Sequence, residues 1–485
     1  MEKALLELLS AIVGRDHVTW ATGDLRNYQY DGSIDRALPD AVVLPDSASE
    51  VAAVVRACNQ FRCPYVARGA GTGLSGGAIA ESGGVVISTA RLCRILEVDA
   101  INRLAVVEPG VVNAHISAAV RHAGLHFVPD PSSQAACTIG GNVAENAGGL
   151  HCLAYGVTAQ HVLGCEVVTT DGDIVWLGGK LPDDPGYDLL GVFIGSEGTL
   201  GIASKVVVRL TPLPETTRTL LAVFESMEDA SRAVSETIAA GIVPAALEMM
   251  DQRTTLAVEA FVHAGFPTDA AAVLIVDVDG LRESVEEMLP AIAAMCRRHH
   301  ARETRLAADA AERERMWLGR KSAFGAMGRV SANYYVQDGV IPRTHLPAVI
   351  TEVEEIGRRY GLLIANVFHA GDGNLHPLIS FDENRPGDVE KAIAAGADIL
   401  RACVKHGGSI SGEHGIGMEK RDCMGVQFSP SDLALMRAVK LAFNRQGLCN
   451  PAKIFPTSRR CGESARHGAA GVMAPAVAAA AGQAF

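Results

Sequence analysis

The run Asp40-Ala41-Val42-Val43-Leu44-Pro45 is apolar, short and closed by proline, which predicts a strand. Ser47 and Glu50 follow in the S-x-x-E spacing of a capping box, so a helix is predicted over Val51 to Phe61. Pro64 to Arg68 then reads as a second strand, giving a β-α-β unit with a glycine-rich exit. Short runs of this kind alternate with helical stretches as far as residue 215. At Thr211-Pro212-Leu213-Pro214-Glu215, two prolines in three residues can continue neither a helix nor a central strand, which marks a domain junction. Beyond it the pattern lengthens. Leu220 to Phe224, Ala245 to Met250 and Ala272 to Val278 read as strands, while Ser226 to Ala240 and Arg282 to His299 read as helices. This is the pattern of an α+β domain with long helices on an antiparallel sheet. Three segments are expected: a ligand-binding domain over 1–215 with its core at about 37–215, a second domain over 216–456, and a disordered Ala/Gly-rich tail over 457–485.

Composition narrows the function classes. The formal net charge is -12 and no basic stripe is present, which argues against nucleic-acid binding. The 11 cysteines include no C-x-x-C pair, so reduced thiols in the cytoplasm are expected, and no iron–sulfur cluster within the chain. The apolar stretch after Met1 is broken by Glu7 and Arg15, too early for a signal peptide, and no run reaches the ~18 apolar residues of a membrane span.

Glycine supplies the first candidate site. Arg68-Gly69-Ala70-Gly71-Thr72-Gly73-Leu74-Ser75-Gly76-Gly77 has five glycines in ten residues, which lets backbone N–H groups approach an anion closely. A Rossmann loop would open directly into a helix, whereas this one runs through a turn into the strand Val85 to Thr89. A second cluster holds Pro131, Ser132, Thr138, Gly140, Gly141, Asn142, Asn146, Gly148 and Gly149, with Tyr155 soon after. A third is Gly195-Ser196-Glu197-Gly198-Thr199-Leu200-Gly201-Ile202. Three such clusters fit one long ligand touched by backbone at several points, and a flavin dinucleotide has that shape.

Histidine supplies the second. Ile364 to His369 and Leu375 to Ile379 read as strands around Asp372-Gly373, a two-residue I′ turn signal. That register places His369 directly opposite His376, close enough for two imidazoles to share a divalent metal. A third ligand would be a carboxylate or another imidazole, and the loop Ser411-Gly412-Glu413-His414-Gly415 carries both. Arg313 to Lys321 reads as a charged helix.

RGAGTGLSGG, PDPSSQAACTIGGNVAENAGG and GSEGTLGI resemble the FAD-binding domain of the vanillyl-alcohol oxidase/p-cresol methylhydroxylase superfamily. The resemblance spans roughly residues 35–456. It is closest to the FAD-linked D-2-hydroxy-acid dehydrogenase branch, which includes the FAD-linked subunits of glycolate oxidase. It implies a two-part FAD-binding domain with a substrate (cap) domain, and FAD held by the three glycine clusters. It further implies His369, His376 and Glu413 as ligands of a divalent metal such as zinc, His414 as catalytic base and Arg320 as the clamp on the substrate carboxylate. In the closing motif Asn450-Pro451-Ala452-Lys453-Ile454-Phe455-Pro456, Asn450 would approach the flavin. The implied reaction is oxidation of glycolate or D-lactate to the 2-oxo acid. Electrons would pass to an iron–sulfur partner subunit or a quinone, and any membrane association would run through such partners. Relatives with covalent flavin often carry a His beside the pyrophosphate loop; Gly71-Thr72-Gly73 has none, so non-covalent FAD is expected.

Two readings from other classes compete: a zinc hydrolase holding a phosphate in the glycine loop, and a catalytically silent flavin subunit. Within the branch, a D-2-hydroxyglutarate dehydrogenase is the nearest alternative. Members of the branch that oxidise this diacid need polar partners for the second carboxylate; the resemblance aligns Phe324, Val336 and Leu378 with those places, so short monoacids are expected to be preferred.

Overall fold

The computed structural model describes residues 1–181 and 185–457. Apart from Thr457, the tail expected over 457–485 lies outside them. A first sheet combines β1 (Val18–Thr19), β2 (Ala41–Val43), β3 (Tyr65–Arg68) and β4 (Val85–Ser88) in the order β1-β2-β4-β3. The helix Ala48–Gln60 between β2 and β3 is capped by Ser47, whose side chain accepts from Glu50 N at 3.2 Å. The box is displaced by one residue, since Glu50 accepts from Asp46 N rather than from Ser47 N.

Along the chain follow β5 (Ile95–Asp99), β6 (Leu104–Val107), β7 (Leu125–His126), β8 (Val162–Val168), β9 (Ile174–Gly178), β10 (Ile202–Arg209) and β11 (Thr211–Pro212). A second, antiparallel sheet has the order β5-β6-β10-β8-β9, and β11 pairs only with β7. Pro212 thus sits in a two-stranded ribbon, where its missing N–H costs no central ladder bond.

The rest of the chain builds one antiparallel sheet from β12 (Thr216–Phe224), β13 (Ala246–Asp251), β14 (Ala272–Gly280), β15 (Glu303–Leu306), β16 (Asn333–Val336), β17 (Ile364–His369) and β18 (Asn374–Phe381). Its order is β15-β12-β14-β13-β17-β18-β16. Both faces are covered. Leu274, Val276 and Val278 enter one core and Val273 and Ile275 the other, so β14 reads as continuously apolar rather than alternating. On β13, β17 and β18 the alternation assigns Glu248, His369 and His376 to one face. It is the face of Met250, Val367 and Leu378, against which the helices Gln252–Val262 and Ala310–Lys321 pack.

The chain end returns to the first domain. Tyr65 N donates to Leu448 O at 2.9 Å and Asn450 N donates to Tyr65 O at 2.8 Å. Among the described residues no helix is long and apolar enough to cross a membrane.

Candidate active site

A cavity of about 420 Å³ runs between the first domain and the cap. Of the residues expected to hold FAD, Arg68 to Leu74, Gly77, Pro131, Ser132, Thr138, Gly140, Gly141, Asn142, Gly148, Glu197, Gly198 and Ile202 line it. Gly76, Asn146, Gly149, Tyr155 and Asn450 are not on its wall. Asn450 braces the wall from behind, its Nδ2 donating to Gly77 O at 2.9 Å and Glu197 O at 2.8 Å. Asn146 closes a helix in the left-handed region (φ 51°) and accepts from Ala159 N. Tyr155 points elsewhere: its hydroxyl donates to Asp279 at 2.8 Å.

The segment after Thr138 is a short helix, Ile139–Glu145. Gly140 is needed there for close packing, because a Cβ would come within 2.6 Å of Pro109 Cβ. The wall fits a long polar ligand. Arg68 Nη1, Thr138 Oγ1, Asn142 Nδ2, Glu145 Oε2 and Ser196 Oγ are buried there without hydrogen-bond partners, an arrangement that is costly unless a ligand satisfies them. A side chain at Gly69 would strike Thr138 Oγ1, and one at Gly148 would strike Glu413 Oε2.

Glu413 and His414 also line this cavity. The hairpin beneath them differs from the expected two-residue turn. His369 pairs with Asn374, and His376 lies opposite Val367. The turn spans Ala370–Gly373, with Gly373 N donating to His369 O at 3.0 Å and Gly373 at φ 83°. Tertiary contacts select it: Gly371 N donates to Leu247 O and Ile341 N to Gly373 O. The slip is two residues, so both histidines stay on one face as diagonal neighbours, with ring centroids 5.0 Å apart.

His369 and His376 present Nε2 to the same oxygen, Glu413 Oε1, at 3.3 and 3.2 Å. Their other nitrogens are occupied. His369 Nδ1 donates to Glu248 Oε1 at 2.8 Å, and His376 Nδ1 lies 3.3 Å from the Gln337 carbonyl. An acceptor on Nδ1 fixes the tautomer and leaves Nε2 free, the usual support of a metal-binding imidazole. Burial pushes the Glu413 carboxyl up, but the neighbouring His369 and His376 outweigh it and hold it well below the ordinary range.

His414 stacks on His376 with ring centroids 4.9 Å apart. Its loop is organised by Asp338, which accepts from Gly412 N (3.0 Å), His414 N (2.9 Å) and Ser411 Oγ (2.7 Å) and pairs with buried Lys420 at 3.0 Å. Burial is the largest influence on His414, and despite Asp338 its pKa falls to about 4, so the imidazole is neutral near pH 7. Asp338, His376 and His414 also offer converging ligand atoms.

Arg320 does not line the cavity. It is fully buried and pairs with Glu248, with Nε donating to Oε2 at 2.8 Å and Nη2 at 2.5 Å without hydrogen-bond alignment. Its neighbours Lys321 and Phe324 line the wall instead. Glu248, Asp338 and Lys420 were missed in the sequence. The available signal was a lone carboxylate inside the apolar strand Ala245 to Met250, and nothing marked Asp338 and Lys420 as partners.

A cradle with glycine-built walls and orphaned buried polar atoms, to which the cap adds the carboxylate of Glu413 and the imidazole of His414, is the site of an FAD-linked oxidoreductase. Residues 39–178 match the FAD binding domain, and residues 213–454 the C-terminal domain of FAD linked oxidases. The chain is 50% identical over 437 residues to glycolate oxidase subunit GlcD of Escherichia coli (strain K12), covering 90% of this chain and 88% of that protein. It is 38% identical over 460 residues to the GlcD of Bacillus subtilis (strain 168), covering 94% and 98%. To the D-lactate dehydrogenase of Anaerostipes hadrus it is 32% identical over 428 residues, covering 86% and 90%. The structure of p-cresol methylhydroxylase with substrate bound shares the fold, with a TM-score of 0.80 at 19% identity over 93% of this chain and 96% of that one. The chain belongs to the FAD-linked oxidase family.

Proposed function

We propose that this protein oxidises a short 2-hydroxy acid, glycolate or D-lactate, to the 2-oxo acid. The observation that carries the reading is the convergence of His369 and His376 on Glu413, which lines the cavity together with His414. The relatives named glycolate oxidase subunit and D-lactate dehydrogenase support it. Non-covalent FAD would supply the two-electron acceptor for the C2 hydrogen. A divalent cation such as zinc, held by His369, His376 and Glu413, would supply Lewis-acid polarisation of the substrate oxygens.

The chain's own groups do the rest. His414 is neutral and buried, so an imidazole nitrogen takes the hydroxyl proton as general base. Lys321 on the cavity wall is the cation for the substrate carboxylate, whereas Arg320, expected in that role, lies off the wall with its charge taken by Glu248. Phe324 lines the cavity and meets His376 edge-on at 5.9 Å, whereas Val336 and Leu378, expected beside the substrate, pair in the core off the wall, so of the three apolar positions Phe324 alone bears on a second carboxylate. Electrons leave to an iron–sulfur partner subunit or a quinone, a reading supported by relatives that are named as subunits. Such a partner would also hold a cytoplasmic protein at the inner face of the membrane.

Anaerobic mixing with a panel of D- and L-2-hydroxy acids tests the reading. Glycolate and D-lactate are expected to bleach the bound flavin; an unbleached flavin across the panel would overturn it.

A further inference from the structure

Glu145 is the last residue of the helix Ile139–Glu145 and lines the flavin cavity. Its neighbours on two sides are glycines. The Cβ position of Gly77 lies 2.8 Å from Oε1, and that of Gly415 lies 2.7 Å from Oε2. Glu197 Oε1 approaches the same Gly415 position at 3.0 Å, so two carboxyl groups crowd one point. They are not equivalent. Glu197 accepts from Ile416 N at 2.7 Å and from Gly417 N at 2.6 Å, one bond on each oxygen. Glu145 Oε2 is buried with no partner at all.

Two adjacent carboxyl groups cannot both ionise cheaply in a buried site, and the one supplied with N–H donors takes the charge. The loop they share, Gly415 to Gly417, directly follows His414. Glu145 therefore stands in the cavity wall against the backbone that follows His414. Burial is the main influence on Glu145 and lifts it well above the ordinary carboxylate range. Glu197 and Asp31 push the same way, and Lys420 and Lys453 oppose them.

We propose that Glu145 carries a proton in the holoenzyme and donates it in a hydrogen bond to bound FAD, favouring the reduced over the oxidised cofactor. Glu145 is a positioning and potential-setting group, distinct from the base His414 and from the metal-binding set. The inference rests on FAD binding in this cavity, and a preparation without a flavin spectrum would mark the failure of that premise instead.

The test is the two-electron potential of the FAD-loaded full chain, measured at pH 7 against reference dyes in the absence of substrate. Three proteins are compared: wild type, Glu145→Gln and Glu145→Leu. Gln is neutral and keeps a donor, so its potential is expected to match wild type. Leu removes the donor and should weaken the preference for reduced FAD by about tenfold, a fall of ~30 mV for a two-electron couple. If Glu145 is instead ionised, both variants remove a negative charge and both potentials rise. That result, or three equal potentials, would overturn the proposal. Should Glu145→Leu fail to fold, a raised potential in Glu145→Gln still refutes it, and Glu145→Thr replaces Leu as the short-donor control that should lower the potential.

Discussion

Replacing Glu248 by alanine should lower both the cap's stability and its metal affinity. Glu248 is 1% exposed and serves two partners: it neutralises Arg320 through Oε2 and fixes His369 Nδ1 at 2.8 Å through Oε1. Burial works against its charge, and Arg320 and His369 together hold its pKa below the ordinary value. Glu248→Ala leaves the Arg320 guanidinium buried without a counter-ion, a change that typically costs about 3–5 kcal/mol. For a unit of the cap's size this corresponds to a fall in Tm of about 6–10 °C, at roughly 2 °C per kcal/mol. The same change frees the His369 ring and should weaken metal binding by about 10–100-fold. The double variant Glu248→Leu/Arg320→Met separates the two effects. It replaces the ion pair with apolar groups, so most of the stability should return while metal affinity stays low. Calorimetric titration of metal-stripped protein with zinc, together with thermal melts of all three proteins, reads both quantities. Unchanged zinc affinity in Glu248→Ala, or a double variant no more stable than the single one, would refute the argument.

Further outcomes are expected from the same geometry. Acid precipitation should leave yellow flavin in the supernatant, because no His stands in the Gly71-Thr72-Gly73 loop; colour in the pellet would indicate a covalent link. Chelation, or His369→Ala, should abolish turnover with FAD still bound, and full activity in metal-stripped protein would exclude a metal role. Glycolate and D-lactate should exceed D-2-hydroxyglutarate in kcat/KM, since the cap places one cation on the cavity wall, Lys321, and the first carboxylate takes it; steady-state kinetics on the three acids decides it. Burial pushes the Glu419 carboxyl up to about 8 from an ordinary 4.5. Its contribution to stability is fully present below about pH 4.5 and is lost as pH rises through 8, at most about 5 kcal/mol at 1.36 kcal/mol per unit. Urea titrations between pH 5 and 9 should show a slope that Glu419→Gln flattens.

Local chemistry determined much of this protein from sequence alone. Ser47 caps its helix because an N-cap needs only a short side chain three residues before a free N–H. The glycine clusters announced a cradle because close backbone approach to a long ligand requires missing Cβ atoms, and most of those residues line the cavity. Pro212 falls in a two-stranded ribbon because it cannot serve a central strand. Tertiary structure decided what depends on distant partners. The Asp372-Gly373 turn took a longer form than its dipeptide predicts because Leu247 and Ile341 bind its backbone. Gly140 must lack a side chain because Pro109, distant in sequence, packs against it. Glu248 meets His369 across 121 residues, and Asp338 meets the His414 loop across 76. No local pattern records either contact: a carboxylate on a strand looks the same whether it faces water or a buried Arg320, and only the packing of β13, β17 and the helix Ala310–Lys321 makes the difference.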